Sequence, residues 1–418
     1  MMASPAPTSA HTGRHLPHPV LVISVVVAHL VALHPGTLPR DAMTTTVVTT
    51  GVTALGAVIG MLLSRWVSRR HGQPAGQIRR VVFGVGVLVA AGGAGLAVWW
   101  QNLIRAAVGS LPVGPDWWAG ATLAPVAVVS ATVVVPRVTA VIAAAAVALT
   151  AGLLTPASAG ADEGQPLPRT VVVPDSGTVL RGELSASEFE RPATRLVKTW
   201  LGADGLSARA VIVAVPTGSG WVDPAAVTGF VDRFDADVRI LVLPYADVPS
   251  WQAFISDDAA ATESSIALVR EVAEVLQGRP AGDRPLLVLY GQSLGAVGAD
   301  AARTWLEDRH PGLLAETVLT APPAETVAAE SDSPRVVVAN RTDPVIRWSL
   351  SSLWRPATTP DGTVLGGPRV PQVPWLPVIS FLQTSVDLLA ALDGPTGVGH
   401  RYGAEQARGL PACRDDLR

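Results

Sequence analysis

The chain has very little of what stabilises small secreted domains or binds nucleic acid. It holds one cysteine, Cys413, so no disulfide can form within it, and cysteine usage does not report its compartment. Cys413 lies in a polar tail, where an incidental thiol is the simplest interpretation. Lys198 is the only lysine, and the net charge is −3. Nothing in this charge pattern predicts a nucleic-acid partner.

Charged residues are also few, and they are distributed unevenly along the chain. Only 16% of the residues are charged, against roughly 25% in an ordinary soluble domain. The apolar excess lies in the first 155 residues. Because a single core rarely exceeds roughly 250 to 300 residues, a chain of 418 predicts at least two domains.

Five apolar segments follow an aperiodic leader, residues 1–17, which we predict to be disordered. Each segment is near the roughly 17 to 25 residues that cross a bilayer as a helix. A soluble fold cannot bury five such segments without amphipathic stripes, so we predict an all-α transmembrane bundle of about five helices over 18–155. The first could instead be a cleaved signal peptide, but it lacks a small-x-small cleavage site. The segments are Pro19–Leu33, Thr44–Leu63, Val81–Trp100, Trp118–Val135 and Val138–Leu154.

The loops between these segments predict their orientation. Five arginines lie between the second and third segments, whereas the loops after the first and third hold only Arg40 and Arg105. By the positive-inside rule the five-arginine loop is cytoplasmic. The N-terminus is then cytoplasmic, and everything after the fifth segment is extracytoplasmic. The five are Arg65, Arg69, Arg70, Arg79 and Arg80.

A second domain follows a linker rich in small residues and proline, residues 156–168. Over 169–410, short apolar runs such as Ala210–Val215 and Leu286–Tyr290 alternate with helical patterns such as Asp257–Leu276. This alternation predicts an α/β domain, a mostly parallel sheet with helices on both faces. Residues 411–418 form a tail.

The strongest local signal is a Gly-x-Ser-x-Gly sequence, Gly291–Gly295, centred on Ser293. A buried strand precedes it and a small-residue helix follows. A nucleophilic serine needs a sharp strand-to-helix turn, and the flanking glycines remove side chains that would collide there. Because the chain has 39 glycines, the pentapeptide alone could arise by chance, but its context favours a nucleophile.

A serine nucleophile needs a base, and His400 is the best placed of the eight histidines. Six lie in the leader or the apolar half, and His310 ends a charged helix, where it resembles a cap. His400 lies in a glycine-rich loop late in the chain, as the order serine, acid, histidine of α/β-hydrolases requires. An incidental loop histidine is the alternative. The six are His11, His15, His18, His29, His34 and His71.

The acid should lie between Ser293 and His400 and follow a strand. Asp343 comes just after the apolar run Val336–Ala339, which we predict to be a strand, and Pro344 fixes the turn. Surface solvation is the ordinary role of a lone aspartate, but Asp343 is the best placed of five. The rivals without a preceding strand are Asp332, Asp361, Asp387 and Asp393.

An oxyanion hole would use the amide of Leu294 and an amide from the loop after an earlier strand. The glycine-rich stretch with Thr217 and Gly218 follows such a strand, although a plain tight turn explains it equally well. The sequence shows no clustered His, Cys and Asp residues, so we predict neither a metal nor another cofactor.

These motifs together resemble the actinobacterial membrane α/β-hydrolase family, whose members join a multi-span N-terminal domain to this catalytic domain. The resemblance covers most of residues 20–403 and implies the triad Ser293, Asp343 and His400. The chain departs from the family at Gln292, where glutamate is more usual, and in a short segment between Ser293 and Asp343. The matching stretches are Pro216–Pro224, Pro249–Trp251, Gly291–Gly295, Thr342–Val345, Gly399–Gly403 and His34–Arg40, with Trp100, Gln101 and Arg105.

We therefore expect a membrane-anchored serine hydrolase that cleaves an ester through an acyl-enzyme. A tether beside the bilayer favours a lipid or an acylated envelope component as substrate. Two alternatives stay open: an acyltransferase with the same triad, and a non-catalytic transport or assembly partner, which His29 within a span would favour. The sequence predicts no oligomeric state.

Overall fold

The computed structural model describes residues 16–134, 170–173, 177–185, 188–217, 220–245 and 259–410. The chain divides into two compact units. The first unit comprises Met1–Ala157 and Val370–Asp387, and the second comprises Ser158–Arg369 and Leu388–Arg418. A segment that the sequence places within the catalytic domain therefore belongs to the N-terminal unit. The predicted linker, 156–168, and tail, 411–418, lie outside the described residues.

The first unit begins with four apolar helices: α1 Pro19–Leu33, α2 Ala42–His71, α3 Gly76–Ala107 and α4 Pro115–Val134. Asp41 caps the start of α2 with its side chain, and Gly72 ends it with a φ of 76°, which a residue with a side chain rarely adopts. Of the described helices, α2 and α3 are long and apolar enough to cross a membrane. The fifth predicted segment, Val138–Leu154, lies outside the described residues, so a five-span bundle is not confirmed.

The described residues of the second unit form one sheet of eight strands in the order β1-β2-β4-β3-β5-β6-β7-β8. Only β1 is antiparallel to its neighbour, so seven strands run parallel, which agrees with the predicted α/β architecture. The strands are β1 Thr170–Val173, β2 Gly177–Arg181, β3 Ala210–Val215, β4 Val238–Val242, β5 Leu286–Gln292, β6 Leu314–Thr320, β7 Arg335–Asn340 and β8 Thr363–Gly366.

Helices cover both faces of this sheet because its central strands are apolar on both sides. In β3, Val211, Val213 and Val215 pack into one core, whereas Ala210, Ile212 and Ala214 pack into the other. Helices α5 Glu190–Gly202, α7 Ala259–Gln277 and α8 Leu294–Arg309 supply the first core, and α6 Pro224–Arg233 supplies the second. The period of two in strands produces this division.

The parallel arrangement brings the carboxyl ends of β3, β5, β6 and β7 to one edge of the sheet. Loops that follow these ends carry the chemistry in open α/β sheets. The predicted site residues all follow one of these strands or lie in the late loop after α9, Ile379–Leu388.

Helix α9 joins the first unit through a buried ion pair. Asp387 accepts hydrogen bonds from Arg40 Nη2 at 3.1 Å and from the Thr37 amide at 2.6 Å. Both side chains of the ion pair are almost fully buried, at 6% and 2% exposure. Gln383, one turn earlier, donates to the Val31 carbonyl at 2.6 Å. Asp387, a rival for the acid in the sequence, is thus the partner of Arg40.

Candidate active site

Ser293 lies between β5 and α8 in a strained backbone conformation. Its φ of 54° and ψ of −124° fall outside the regions that residues with a side chain normally occupy. Such strain persists only where the surrounding structure holds it in place, and it is concentrated at functional sites. Here the Ser293 amide donates to the Thr320 carbonyl of β6 at 2.9 Å. The side chain itself is half-buried.

Three glycines allow the turn to pack this closely. A Cβ added at Gly291 would overlap the carbonyl of Gly295, and one added at Gly295 would overlap the carbonyl of Val215 in β3. At Gly298 it would approach the carbonyl of Ala261 in α7. The nearest obstacle at each of the three glycines is a backbone atom, which cannot rotate away. The small-residue helix predicted after the serine is therefore a requirement of packing.

Asp343 and His400 are in direct contact. His400 Nδ1 lies 2.9 Å from Asp343 Oδ2, across 57 residues of sequence. Asp343 is fully buried, three residues past the end of β7, and its Oδ1 accepts from the Val345 amide at 2.8 Å. The His400 side chain is 13% exposed. A carboxylate on Nδ1 leaves Nε2 of the imidazole available to take a proton.

The pKa of His400 reflects two opposed influences. Burial by itself lowers the pKa of the imidazole, because it disfavours the charged form. The charge of Asp343, its hydrogen bond, and the more distant charge of Asp223 outweigh burial, so the pKa of His400 is raised above its ordinary value.

The loop that carries His400 is fastened to the end of β7. Asn340 Nδ2 donates to the carbonyls of Gly399 and Arg401 at 3.0 and 2.9 Å, one on each side of the histidine. The Gly399 amide donates to Thr342 Oγ1 at 2.8 Å. The His400 amide donates to the Ala391 carbonyl at 2.7 Å. Four hydrogen bonds thus fix the histidine backbone.

The serine and the acid–histidine pair lie at the same edge of the sheet, with β6 between their strands. Among the hydrogen bonds of the described residues, none joins the Ser293 hydroxyl to His400. His310 is far from this edge, at the distal end of the 16-residue α8, about 24 Å along the helix. There it contacts Gln277 and the ring of Trp305.

The predicted oxyanion donors are only partly described. The Leu294 amide lies in the first turn of α8, where helix amides have no partner within the helix. The Thr217 amide donates to the Trp221 carbonyl at 3.0 Å and closes a tight turn. Gly218 lies outside the described residues. A second oxyanion donor stays a prediction.

A buried polar network that the sequence did not predict lies beside the site. Gln406 donates to Asp223 Oδ2 at 2.9 Å and accepts from the Tyr290 hydroxyl at 2.7 Å. Gln292, next to the nucleophile, is buried and accepts from Tyr290 at 3.3 Å. Burial raises the pKa of Asp223, although its hydrogen bonds oppose this shift. Gln292, where the chain departs from the family pattern, is therefore part of a buried hydrogen-bond network.

Two further residues of the site, Tyr402 and Asn340, had no predicted role. Tyr402 lies in the stretch Gly399–Gly403, and Asn340 lies between the predicted strand and Asp343. The sequence drew attention to these stretches through His400 and Asp343. The contacts of Tyr402 and Asn340 form only when the loop after β7 packs against the loop that carries His400. Among the described residues, no group of three or more His, Cys, Asp or Glu side chains could hold a metal ion.

A seven-strand parallel sheet with a serine in a strained turn between a central strand and a helix defines the class of α/β-hydrolases. Family comparison agrees: the model of the alpha/beta-hydrolase family matches residues 179–332 and 317–415, more than half of the chain. The model of that family's N-terminus matches residues 33–188. The chain therefore belongs to this alpha/beta-hydrolase family. No curated protein matches it.

Proposed function

We propose that the chain is a serine hydrolase that cleaves an ester through an acyl-enzyme, with Ser293 as nucleophile. The observation that carries the proposal is the strained turn at Ser293, because it places a serine between a strand and a helix in a conformation that is concentrated at functional sites. Family membership supports hydrolase chemistry in general.

In this mechanism His400 first acts as a base. It takes the hydroxyl proton of Ser293 through Nε2, while Asp343 holds the Nδ1 proton and stabilises the imidazolium. The serine oxygen attacks the ester carbonyl, and the Leu294 amide stabilises the oxyanion. The imidazolium then protonates the departing alcohol, which leaves an acyl-serine. A water molecule, activated by His400, hydrolyses the acyl-serine and restores the site.

The membrane anchor and its orientation are part of the proposal. Helices α2 and α3 have the length and apolarity to span a bilayer. Arg40 and Asp387 pair at the start of α2, whereas the arginines between Arg65 and Arg80 lie beyond or near its end, about 45 Å away. If those arginines are cytoplasmic, Asp387 and the chain that follows are extracytoplasmic. The substrate is then a lipid or an acylated envelope component.

Fluorophosphonate labelling of the full chain in membranes tests the chemistry. Ser293→Ala should abolish labelling, since the probe reacts only with an activated serine. Ser265→Ala is the matched control, because this buried serine hydroxyl donates to backbone carbonyls and lies in α7. Labelling of Ser293→Ala at the wild-type level would exclude Ser293 as the nucleophile.

Cysteine accessibility tests the orientation. In a Cys413→Ser background, Asp361→Cys should react with an impermeant thiol reagent applied to intact cells, and Gln73→Cys should react only after lysis. The reverse pattern would place the hydrolase unit in the cytoplasm.

A further inference from the structure

One carboxylate oxygen of Asp343 accepts hydrogen bonds from two side chains. Oδ2 lies 2.6 Å from the hydroxyl of Tyr402 and 2.9 Å from Nδ1 of His400. Asp343 is fully buried, so water does not solvate its charge. These two donors and the Val345 amide stabilise that charge instead. A hydrogen bond to a buried carboxylate is among the stronger ones in proteins.

Tyr402 is held in this place from two sides. Its hydroxyl accepts a hydrogen bond from the Asn340 amide at 2.9 Å and donates its own proton to Asp343. Its ring meets the imidazole of His400 edge to face, with centroids 5.9 Å apart. Tyr402 is 5% exposed. The contact is therefore a built part of the β7 end and not a surface encounter.

We propose that Tyr402 is a positioning residue of the reaction, which acts through Asp343 to set the basicity of His400. The inference rests on the proposed function. The phenol proton stabilises the carboxylate charge, so Asp343 attracts the imidazolium less strongly than it would alone. The same bond fixes the orientation of the carboxylate toward Nδ1. Tyr402 thus keeps His400 a base that can both accept and return a proton.

The surroundings of Tyr402 keep its hydroxyl protonated, so that it can always donate a hydrogen bond to Asp343. Burial first, and then the charge of Asp343, raise the pKa of Tyr402 well above its ordinary value, and Glu405 adds to the shift. The phenol therefore keeps its proton through the working pH range. Among the described residues, the charges that act on His400 are those of Asp343 and Asp223, and both raise the pKa of the imidazole.

The pH dependence of kcat/KM for p-nitrophenyl butyrate tests the proposal, because its acid limb reports the base of the free enzyme. Tyr402→Phe should move that limb upward by on the order of 0.5 to 1 pKa unit, since the carboxylate then attracts the imidazolium more strongly. We expect kcat to fall roughly tenfold with KM nearly unchanged, because Tyr402 acts through Asp343 and not on substrate. Tyr245→Phe is the control, a buried tyrosine whose hydroxyl has no hydrogen-bond partner among the described residues.

A second measurement should shift the acid limb of the pH profile in the opposite direction. The chain has three tyrosines, so 3-fluorotyrosine can replace all of them during expression. Fluorine makes the phenol a stronger donor, and the acid limb should move downward. Fluorinated Tyr402→Phe, labelled only at Tyr245 and Tyr290, should match its unfluorinated form. Should Tyr402→Phe fail to fold, the fluorinated wild type still decides the question.

The outcomes separate the two proposals. If Ser293→Ala retains esterase activity, the proposed function fails. If Ser293→Ala is inactive but the acid limb is the same in wild type, Tyr402→Phe and the fluorinated enzyme, Tyr402 has no such role. Opposite shifts of the limb in the two tyrosine variants establish it.

Discussion

At the scale of single residues, the pair of Asp343 and His400 makes the site sensitive to pH. The pKa of His400 is raised because the carboxylate outweighs burial. Stability from this pair is fully present below the ordinary histidine pKa and is lost as the pH rises through the raised value. In the proposed mechanism activity runs the other way, since the imidazole of His400 must be neutral to act as a base. We therefore expect the highest activity at a pH where this ion pair stabilises the protein least.

The division of labour between base and acid gives a kinetic prediction. His400→Ala should lower kcat by roughly 10⁴-fold or more, because nothing else moves the proton, and Asp343→Asn by roughly 10³ to 10⁴-fold. The double variant should lose little beyond the worse single one, since the residues act as a unit. kcat/KM for p-nitrophenyl butyrate is the measurement. His310→Ala is the control, and a loss there equal to that of His400→Ala would mean that the base is misassigned.

The sequence names Asp343 and His400 separately, from strand context and from elimination, and the structure joins them at 2.9 Å. It could not name Tyr402. A tyrosine two residues after a histidine in a glycine-rich loop has no local pattern that predicts a partner. Its bond to Asp343 spans 59 residues of sequence and forms where Asn340 and Thr342 bind the same loop.

At the scale of elements, the nucleophile turn depends on close packing of α8 against β3 and α7. Gly295 and Gly298 lie one turn apart on α8 and face the carbonyls of Val215 and Ala261. Ser265 of α7 donates to the Gly298 carbonyl at 2.8 Å, which holds the two helices together. A methyl group at either glycine must therefore move a helix or a strand.

Gly295→Ala should disable the site by moving α8 away from β3. We expect a loss of stability of about 1 to 3 kcal/mol, as in other overpacked cores, and strongly reduced fluorophosphonate labelling. Gly202→Ala is the control, because a Cβ at this last residue of α5 meets no atom within 4 Å. Thermal unfolding and labelling of both variants are the measurements. Wild-type labelling of Gly295→Ala would mean that the turn tolerates the displacement.

Central elements were predictable from the sequence and edge elements were not. The predicted strand Ala210–Val215 is β3 without change, since a fully apolar run in a parallel sheet has a clear pattern. Strand β8 has four residues, two of them exposed, and owes its conformation to pairing with β7. Strand β2 likewise is defined by its pairing with β4. Helix α5, unlike these strands, has a pattern visible in the sequence, an apolar stripe at helical spacing made of Ala193, Leu196, Val197 and Trp200.

At the scale of the whole molecule, the N-terminal unit is completed by residues from late in the chain. Arg40 and Asp387 are 347 residues apart in sequence and 3.1 Å apart in the structure. The Arg40 amide also donates to Gln101 of α3, and Arg105 donates to the Arg40 carbonyl. No local pattern links such distant residues, so the sequence predicted neither the pair nor the membership of Val370–Asp387 in this unit.

This buried pair gives the last prediction. Asp387→Asn keeps the size of the side chain but leaves the Arg40 guanidinium buried without a counter-charge. Removing one partner of a buried pair costs about 3 to 5 kcal/mol, because the remaining charge has lost both water and partner. The thermal unfolding midpoint of the purified full chain should therefore fall sharply. Arg40→Met with Asp387→Leu removes both charges together and should cost clearly less than the two single changes added.

The exposed pair of Arg195 and Glu183 is the matched control. Its atoms are 2.9 Å apart, but the side chains are 59% and 64% exposed, so water screens the charges and replaces the lost contact. Glu183→Gln should cost less than about 1 kcal/mol. Burial, not distance, then explains the difference between the two pairs. If Asp387→Asn unfolds at the same temperature as Glu183→Gln, Arg40 has another way to satisfy its charge, and Asp387 is dispensable to the N-terminal unit.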